Sequence, residues 1–484
     1  MGLSALVCFL VGAATVLAFA PFELHPLAFL SFAFLIHQWV SAPPRRCLWL
    51  GFWFGLGLYG AGVSWVYVSL HQFGGMPAPL AGFATVAYCA FLALFPAAAG
   101  WLQARVPAPD AVRACLLVPA AWVLFEWLLV WIFTGFPWLA LGYTAAGWPL
   151  QGYAPLGGVY ALSFITVSIA GMLWLIAHRR PVFVLVAILA IGAGEALRHV
   201  PWSTPAGEPV SVALLQGNIE QEMKFRPERY ARIQETYAQL AEGTAARLIV
   251  FPETALPRFY HQVDPAYLAR LEAAAKRNGG DLLLGAPYLG GPEAYFNSVL
   301  TLGVSPRQAY HKVHLVPFGE FIPPGFGWVL RWLSIPLSDF SRGAPDQPPL
   351  AVAGQRVAVN VCYEDVFGDE IARRAPAATL LVNVSNVAWF GDSLAPAQHL
   401  QIARLRAIET ARMHLTATNT GITAAIDRDG RVLKRLAQFT EGRLELAAQG
   451  YSGATPYVRL RDWPIVLLSV FIFIAFIVRA RRSR

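Results

Sequence analysis

Three side chains in the second half of the chain supply the groups that acyl transfer needs: a thiol, a carboxylate and an ammonium. Cys362 follows the apolar run Val357-Ala-Val-Asn-Val361 and opens the polar turn Cys362-Tyr-Glu-Asp365. Glu253 follows Leu248-Ile-Val-Phe-Pro252, and Lys312 follows Tyr310-His311 ahead of Val313-His-Leu-Val-Pro-Phe-Gly-Glu320. Each run reads as a buried strand, so all three groups stand at strand ends and converge if those strands adjoin in one sheet. Glu253 would then take the thiol proton, Lys312 would stabilise thiolate and oxyanion, and Cys362 would attack an acyl carbon. As a general base, Glu253 calls for a pKa raised by burial. Taken singly, each residue has an ordinary alternative: Glu253 as a helix-start acid, Lys312 as a solvated charge, Cys362 as a core residue.

The placing of the other cysteines sharpens the choice. Cys8, Cys47, Cys89 and Cys115 lie in or beside apolar stretches, where a small apolar-like side chain is unremarkable. Cys362 stands alone in the more polar second part, so it belongs to no disulfide framework and is either buried or a nucleophile.

The elements that must position these groups begin near residue 210. Short runs rich in Val, Leu and Ile predict strands at 210–219, 248–251, 281–287, 298–302, 309–315, 357–363, 380–384 and 415–426. Helices are predicted at 227–241, 265–278 and 395–413, and 338–349 reads as a surface loop. About 260 residues of this kind suffice for one α/β domain with a sheet core covered by helices.

The first part is of another kind. The whole chain of 484 residues is 56% hydrophobic and only 14% charged, against about 25% charged in an ordinary soluble domain, which excludes a single soluble globule. No Asp, Glu, Lys or Arg occurs between Arg46 and Arg105. With about 20 apolar residues needed per span, eight spans are predicted: near 3–20, 26–42, 48–70, 80–102, 114–133, 158–177, 181–197 and 463–478. Ala18-Phe-Ala20 resembles a signal-peptide cleavage site, but no basic residue precedes the segment and Pro21 would follow the cut, so a retained helix is the expectation. Loops after the even spans carry Arg (Arg45 and Arg46, Arg105 and Arg113, Arg179 and Arg180, then Arg479, Arg481, Arg482 and Arg484), and those after spans one, three and five carry no Lys or Arg. Both termini should therefore face the cytoplasm and residues 198–462 the outer side, the periplasm of a bacterial inner membrane. The expected division is a membrane domain of seven spans at 1–200, an outer catalytic domain at 201–460, and an eighth span with a basic tail at 461–484.

Charge distribution excludes a nucleic-acid binder, since residues 201–462 hold 26 basic against 25 acidic side chains and the excess lies beside the spans. Glu126, deep in the fifth predicted span, is either a functional carboxyl or one paired with a neighbouring helix. The uncharged, aromatic stretch 134–158 is expected in the headgroup layer, where it would guide a lipid chain. A transporter would show paired repeats and several intramembrane charges, and neither is evident.

Phe251-Pro-Glu-Thr254, Lys312 with Pro317-Phe-Gly-Glu320, Cys362-Tyr-Glu364 and Ser385-Asn-Val-Ala-Trp-Phe-Gly391 together resemble the nitrilase superfamily. Fused behind seven spans and closed by an eighth, they look like the bacterial apolipoprotein N-acyltransferase family. The resemblance runs over nearly the whole chain, including Gln216-Gly-Asn218 and Gly152-Tyr-Ala-Pro155. It implies an αββα sandwich and a Glu253, Lys312, Cys362 triad working in two steps. An acyl chain passes from a phospholipid to Cys362 as a thioester, then to the α-amino group of the diacylglyceryl-modified N-terminal Cys of an apolipoprotein. It further implies a supporting role for Glu320, Tyr363 and Glu364, with the Tyr363 N–H as an oxyanion donor, and a pocket shaped by Asn297 and Trp389. No cofactor or metal is implied, and no P-loop, Rossmann or zinc motif argues for one. Two positions depart from the family pattern: Phe225, where Trp is frequent, and Val387, where Asp is frequent.

Overall fold

The computed structural model describes residues 2–291, 294–322, 325 and 339–482; Ser338 of the expected surface loop and Arg484 of the basic tail lie outside them. The chain divides into two compact units, one of residues 1–67, 77–200 and 460–484, the other of residues 68–76 and 201–459.

The first unit is helical. Each of the eight predicted apolar segments meets a helix, but among the described residues only Ala78–Ala104, Asp110–Leu128, Pro149–Ala177 and Trp463–Arg482 are individually long and apolar enough to cross a membrane. A fifth arises if Pro44–Gly62 is counted together with the helical turns that follow it, while Leu3–Ala18, Pro26–Val40 and Val182–Leu197 are shorter apolar helices. Small residues let neighbouring backbones touch, as in membrane bundles generally. A Cβ added at Gly12 would stand 2.0 Å from the Phe54 carbonyl oxygen, and one at Gly57 2.0 Å from that of Phe9.

Two expectations for this unit change. Glu126 lies in the last helical turn before Leu129, not at mid-span, and its Oε1 accepts from Trp122 Nε1 at 2.6 Å and from the Leu141 N–H at 2.7 Å. It thus ties helix to loop. Stretch 134–158 does not lie open along its length: Trp138, Leu139, Tyr143 and Leu150 are buried, and the backbone coils into 3-10 turns at Leu141–Ala145 and Pro149–Tyr153. Its missing charges reflect inward packing, which composition cannot tell from contact with lipid.

Among the described residues the second unit is a sandwich of two six-stranded sheets, with a separate two-stranded ribbon of β1 (Thr204–Pro205) and β14 (Tyr451–Ser452). One runs β13-β2-β3-β4-β5-β6, with β2 (Val210–Gln216), β3 (Leu248–Val250), β4 (Asp281–Leu289), β5 (Tyr295–Gly303), β6 (Ala309–His311) and β13 (Gly442–Ala448). The other runs β12-β11-β10-β9-β8-β7, with β7 (Leu350–Val352), β8 (Gln355–Val361), β9 (Leu380–Ser385), β10 (His414–Thr418), β11 (Ala424–Ile426) and β12 (Val432–Arg435). Strand periodicity of two explains the layers. Val212 and Leu214 of β2 pack with Val357, Val359 and Val361 of β8 and Val382 and Val384 of β9 in the core between the sheets. Their alternates face helices: Ala213 and Leu215 meet Ile233 and Tyr237 of the helix Tyr230–Glu242, and Ala358 and Leu381 meet Ile371 of the helix Gly368–Arg374. Burial on both faces is why these strands read as continuous apolar runs.

Several predicted strands end early, for reasons that matter to the site. The run at 309–315 stops at His311, because the N–H groups of Val313 and His314 turn to the Glu364 carboxylate instead of a neighbouring strand. The run at 357–363 stops at Val361, because Cys362 takes a left-handed φ of 53°. The single strand predicted at 415–426 is a hairpin, β10 pairing antiparallel with β11 across the Asn419-Thr-Gly-Ile-Thr423 turn. β12 and β13 escaped notice because half-exposed edge strands such as Val-Leu-Lys-Arg carry charges.

Candidate active site

β2, β3 and β4 run parallel in one sheet, and β8, β9 and β10 run parallel in the other. The chain leaves β3 toward Glu253, β8 into Cys362 and β9 into Asn386, so three segments of the site follow the carboxyl ends of parallel strands. Lys312 leaves β6 and is anchored by its own N–H, which donates to the Asn297 carbonyl on β5 at 2.8 Å.

The polar groups meet in a buried cluster. Lys312, only 1% exposed, holds its Nζ 3.4 Å from Glu253 Oε1 and 2.8 Å from Glu320 Oε2. Asn297 Nδ2 bridges the two carboxylates, donating at 2.7 Å to Glu253 Oε1 and at 2.7 Å to Glu320 Oε1. The remaining oxygens are held by backbone: the Asn386 N–H donates to Glu253 Oε2 at 2.8 Å, and the Val316 N–H to Glu320 Oε2 at 2.9 Å.

Cys362 sits at the elbow between β8 and a 3-10 turn over 362–366, partly exposed, with the Asn383 Nδ2 donating to its carbonyl at 3.1 Å. A left-handed residue at the end of a strand throws the thiol out of the sheet, a strained placement of the kind found at functional sites. Glu364, fully buried, secures that elbow. It accepts from the Val361 N–H at 2.6 Å, the Val313 N–H at 2.7 Å, the His314 N–H at 3.1 Å and the Tyr310 hydroxyl at 3.0 Å. One carboxylate thereby locks the Cys362 turn to the segment that carries Lys312. Replacing Glu364 by Ala would leave these donors unpaired in the core and is expected to cost about 3–5 kcal/mol. Thermal unfolding of the purified variant checks this, and an unchanged midpoint would refute the locking role.

Electrostatics set the resting protonation states. Burial pushes the Cys362 thiol up to about 12, helped by the Glu253 charge and opposed by Lys312. Burial alone would lower Lys312, but Glu320 and Glu253 outweigh it and hold the ammonium well above its ordinary value. Burial alone would likewise raise Glu253, but Lys312, Asn297, Lys224 and the Asn386 N–H together hold it below the usual carboxylate range. This reverses the expected raised Glu253, because the sequence did not reveal how many donors surround it. The resting set is thiol, carboxylate and ammonium, with the proton on sulfur.

Tyr363 is buried, its ring edge-on to Phe367 at 5.3 Å. Trp389 lies on the 3-10 turn Val387–Phe390, three residues beyond Asn386. Its carbonyl accepts from Ser69 Oγ at 2.7 Å and its ring stands edge-on to Phe73 at 6.0 Å. Residues 68–76 therefore belong to this unit, a long-range contact with no local signal. Val387 is accounted for by packing: a Cβ at Gly421 would come 2.2 Å from its methyl group, so an apolar side chain here lies on a glycine. Phe225 is half-buried and directly follows Lys224. Lys224 itself, 2% exposed and donating to the Glu253 carbonyl at 3.3 Å, was missed by sequence reasoning, since Gln221-Glu-Met-Lys224 reads as a solvated stretch. Among the described residues no cluster of three His, Cys, Asp or Glu side chains is disposed to hold a metal ion.

Comparison with known proteins agrees over both units. Residues 11–172 match the apolipoprotein N-acyltransferase N-terminal domain, and residues 211–457 match the carbon-nitrogen hydrolase family. An apolipoprotein N-acyltransferase of Nitrosomonas europaea is 51% identical over 93% of this chain and 92% of its own length. One from Methylococcus capsulatus is 44% identical over 96% and 94%, and one from Chromobacterium violaceum 45% identical over 95% and 90%. Among solved structures, a CN-hydrolase superfamily protein of Xanthomonas campestris covers 54% of this chain and 97% of its own at 20% identity and a TM-score of 0.39. With relatives of this identity along nearly its whole length, the chain belongs to the apolipoprotein N-acyltransferase family.

Proposed function

We propose that the protein transfers a fatty acyl chain from a membrane phospholipid, through a thioester on Cys362, to the α-amino group of the diacylglyceryl-modified N-terminal Cys of an apolipoprotein. The observation that carries this reading is the buried meeting of Glu253, Lys312, Glu320 and Asn297 beside the Cys362 elbow in a chain of this family.

The steps follow from the protonation states. Glu253 takes the Cys362 proton as sulfur adds to the ester carbonyl carbon. Lys312 and the Tyr363 N–H stabilise the oxyanion that forms. Collapse breaks the carbon–oxygen bond, and Glu253 returns the proton to the departing oxygen, releasing a lysophospholipid. The amine of the acceptor then adds to the thioester, gives its proton to Glu253, and the carbon–sulfur bond breaks to regenerate the thiol. Lys312 serves both halves, since each passes through an oxyanion. Glu320 holds Lys312 in place, and Asn297 and Trp389 shape the site around the acyl group.

The site is proposed to work on the outer face of a bacterial inner membrane, in a catalytic domain at 201–460. Seven spans at 1–200 and one at 461–484 flank it, and both termini lie in the cytoplasm. The Arg-bearing even loops support that orientation; in this reading the bent pair that begins at Pro44 and the three short apolar helices join the four long helices to make the eight spans. Intact-mass measurement of the purified protein incubated with phospholipid alone tests the first half-reaction. A gain of one acyl chain that hydroxylamine removes is expected. Release of free fatty acid with no adduct and no transfer to a diacylglyceryl peptide would overturn the reading in favour of a hydrolase.

A further inference from the structure

We infer that Lys224 is a positioning residue of this site, whose buried ammonium completes the charge balance around Glu253 and so favours release of the Cys362 proton at neutral pH. The inference rests on the proposal that Cys362 is the nucleophile.

A lysine on a surface turn ordinarily carries its ammonium out to water. Lys224 does the reverse: it ends the short turn Gln221–Lys224, is 2% exposed, and donates to the Glu253 carbonyl at 3.3 Å. The turn is held by a chain of buried amides. Asn386 Nδ2 donates to Gln221 Oε1 at 2.9 Å, Asn419 Nδ2 to Asn386 Oδ1 at 3.2 Å, and the Ile219 N–H to Asn419 Oδ1 at 2.9 Å. Asn386 also gives its N–H to Glu253 Oε2. The turn that delivers Lys224 and the carboxylate it serves are thus fixed by the same residue.

The charge count explains why such a costly placement is kept. Glu253 is a buried negative charge and Glu320 a partly buried one, and Lys312 between them is one positive charge. Glu364, the remaining carboxylate here, has Arg374 acting on it from its own side. Without Lys224 the group of Glu253, Glu320 and Lys312 would carry a net negative charge in a low-dielectric site, and a thiolate would add another. With Lys224 the group is neutral and the thiolate leaves it with a single excess charge. Burial pulls the Lys224 ammonium down to about 8, against the opposing pull of Glu253 and Cys362. Those two are the titratable groups that act on it; Lys312 and Glu320 act in turn on Cys362, and Glu222 on the same turn is exposed.

The test measures the rate of alkylation of Cys362 by iodoacetamide in the full-length protein in detergent micelles at about pH 7 and at about pH 10, on either side of the range in which a buried lysine loses its proton, with Cys362→Ala identifying the labelled peptide. Lys224→Met, which removes the charge and keeps the length, is expected to slow both alkylation and acyl-enzyme formation about tenfold at neutral pH and to differ little from wild type at about pH 10, where Lys224 is itself uncharged. Its thermal midpoint is expected to fall, because removing one member of a buried charge set leaves the others uncompensated, so the rates are compared at a temperature at which the variant is folded. Lys224→Arg should stay near wild type. A neutral-pH rate unchanged in Lys224→Met, or lowered as far in Lys224→Arg, or a Lys224→Met defect that persists in full at about pH 10, overturns the inference. Wild-type protein in which Cys362 is alkylated at neither pH would overturn the nucleophile proposal itself, and Lys224 with it, which is a different outcome from a reactive thiol indifferent to Lys224.

Discussion

Cys362→Ala is expected to yield a folded protein that forms no acyl-enzyme and transfers acyl chains at least about 10⁴-fold more slowly than wild type. The fold should survive because the fold-determining contacts of the elbow are made by Glu364 and by Asn383, which grips the Cys362 carbonyl and not its side chain. Loss of one sulfur from a partly exposed position opens no large cavity. The variant should still bind phospholipid, so a mass adduct that is missing while binding persists identifies the thiol as the point of attachment. An adduct of normal size on the variant would place the nucleophile elsewhere.

Lys312→Met is expected to lower the rate of acyl-enzyme formation by about 10³-fold with little change in substrate affinity. The ammonium lies between Glu253 and Glu320, 3.4 and 2.8 Å away. Its removal takes away the oxyanion donor and at the same time brings together two carboxylates that share the single Asn297 amide. Like charges at this separation do not both remain ionised, so one carboxylate takes up a proton. If that one is Glu253, the base is lost as well. Pre-steady-state measurement of the first half-reaction separates the two quantities: a defect confined to binding would make Lys312 a surface-type charge that happens to be buried. Lys312→Arg is not expected to rescue, since a planar guanidinium does not fit between two carboxylates already joined by Asn297.

Together the two variants distinguish a nucleophile from the group that stabilises what the nucleophile makes. Cys362→Ala removes covalent chemistry, whereas Lys312→Met leaves the thiol in place with its proton harder to remove. Glu364→Ala acts through stability, because its partners are backbone groups on both sides of the site.

Much of this protein was legible in its residues, and for identifiable reasons. The strands behind Glu253 and Cys362 are buried on both faces, so they appear as unbroken runs of Val, Leu and Ile, and their ends are marked by the first polar residue. The apolar helices of the first unit announce themselves by the absence of charge. Family membership could be read from four local motifs in order, because a motif is contiguous. What the residues alone left undecided are matters of distance. Span count was ambiguous because an apolar helix of 16 residues, such as Val182–Leu197, has the composition of a span and not its length. Stretch 134–158 looked like a membrane-surface loop because inward packing and lipid contact select the same residue types.

At the site, sequence by itself determined which chemical groups stand at the strand ends: a thiol, an ammonium and a carboxylate. Only the tertiary structure decided which of them meet and in what charge state. Asn297 bridging two acids, the Asn386 N–H on Glu253, and Lys224 turned inward from a polar stretch all join residues far apart in the chain. Together with Lys312, the largest of these influences, they lower Glu253 where burial alone would have raised it. A side chain's type is set by the codon, but its pKa is set by the sum of fields from neighbours that only the folded chain brings within range.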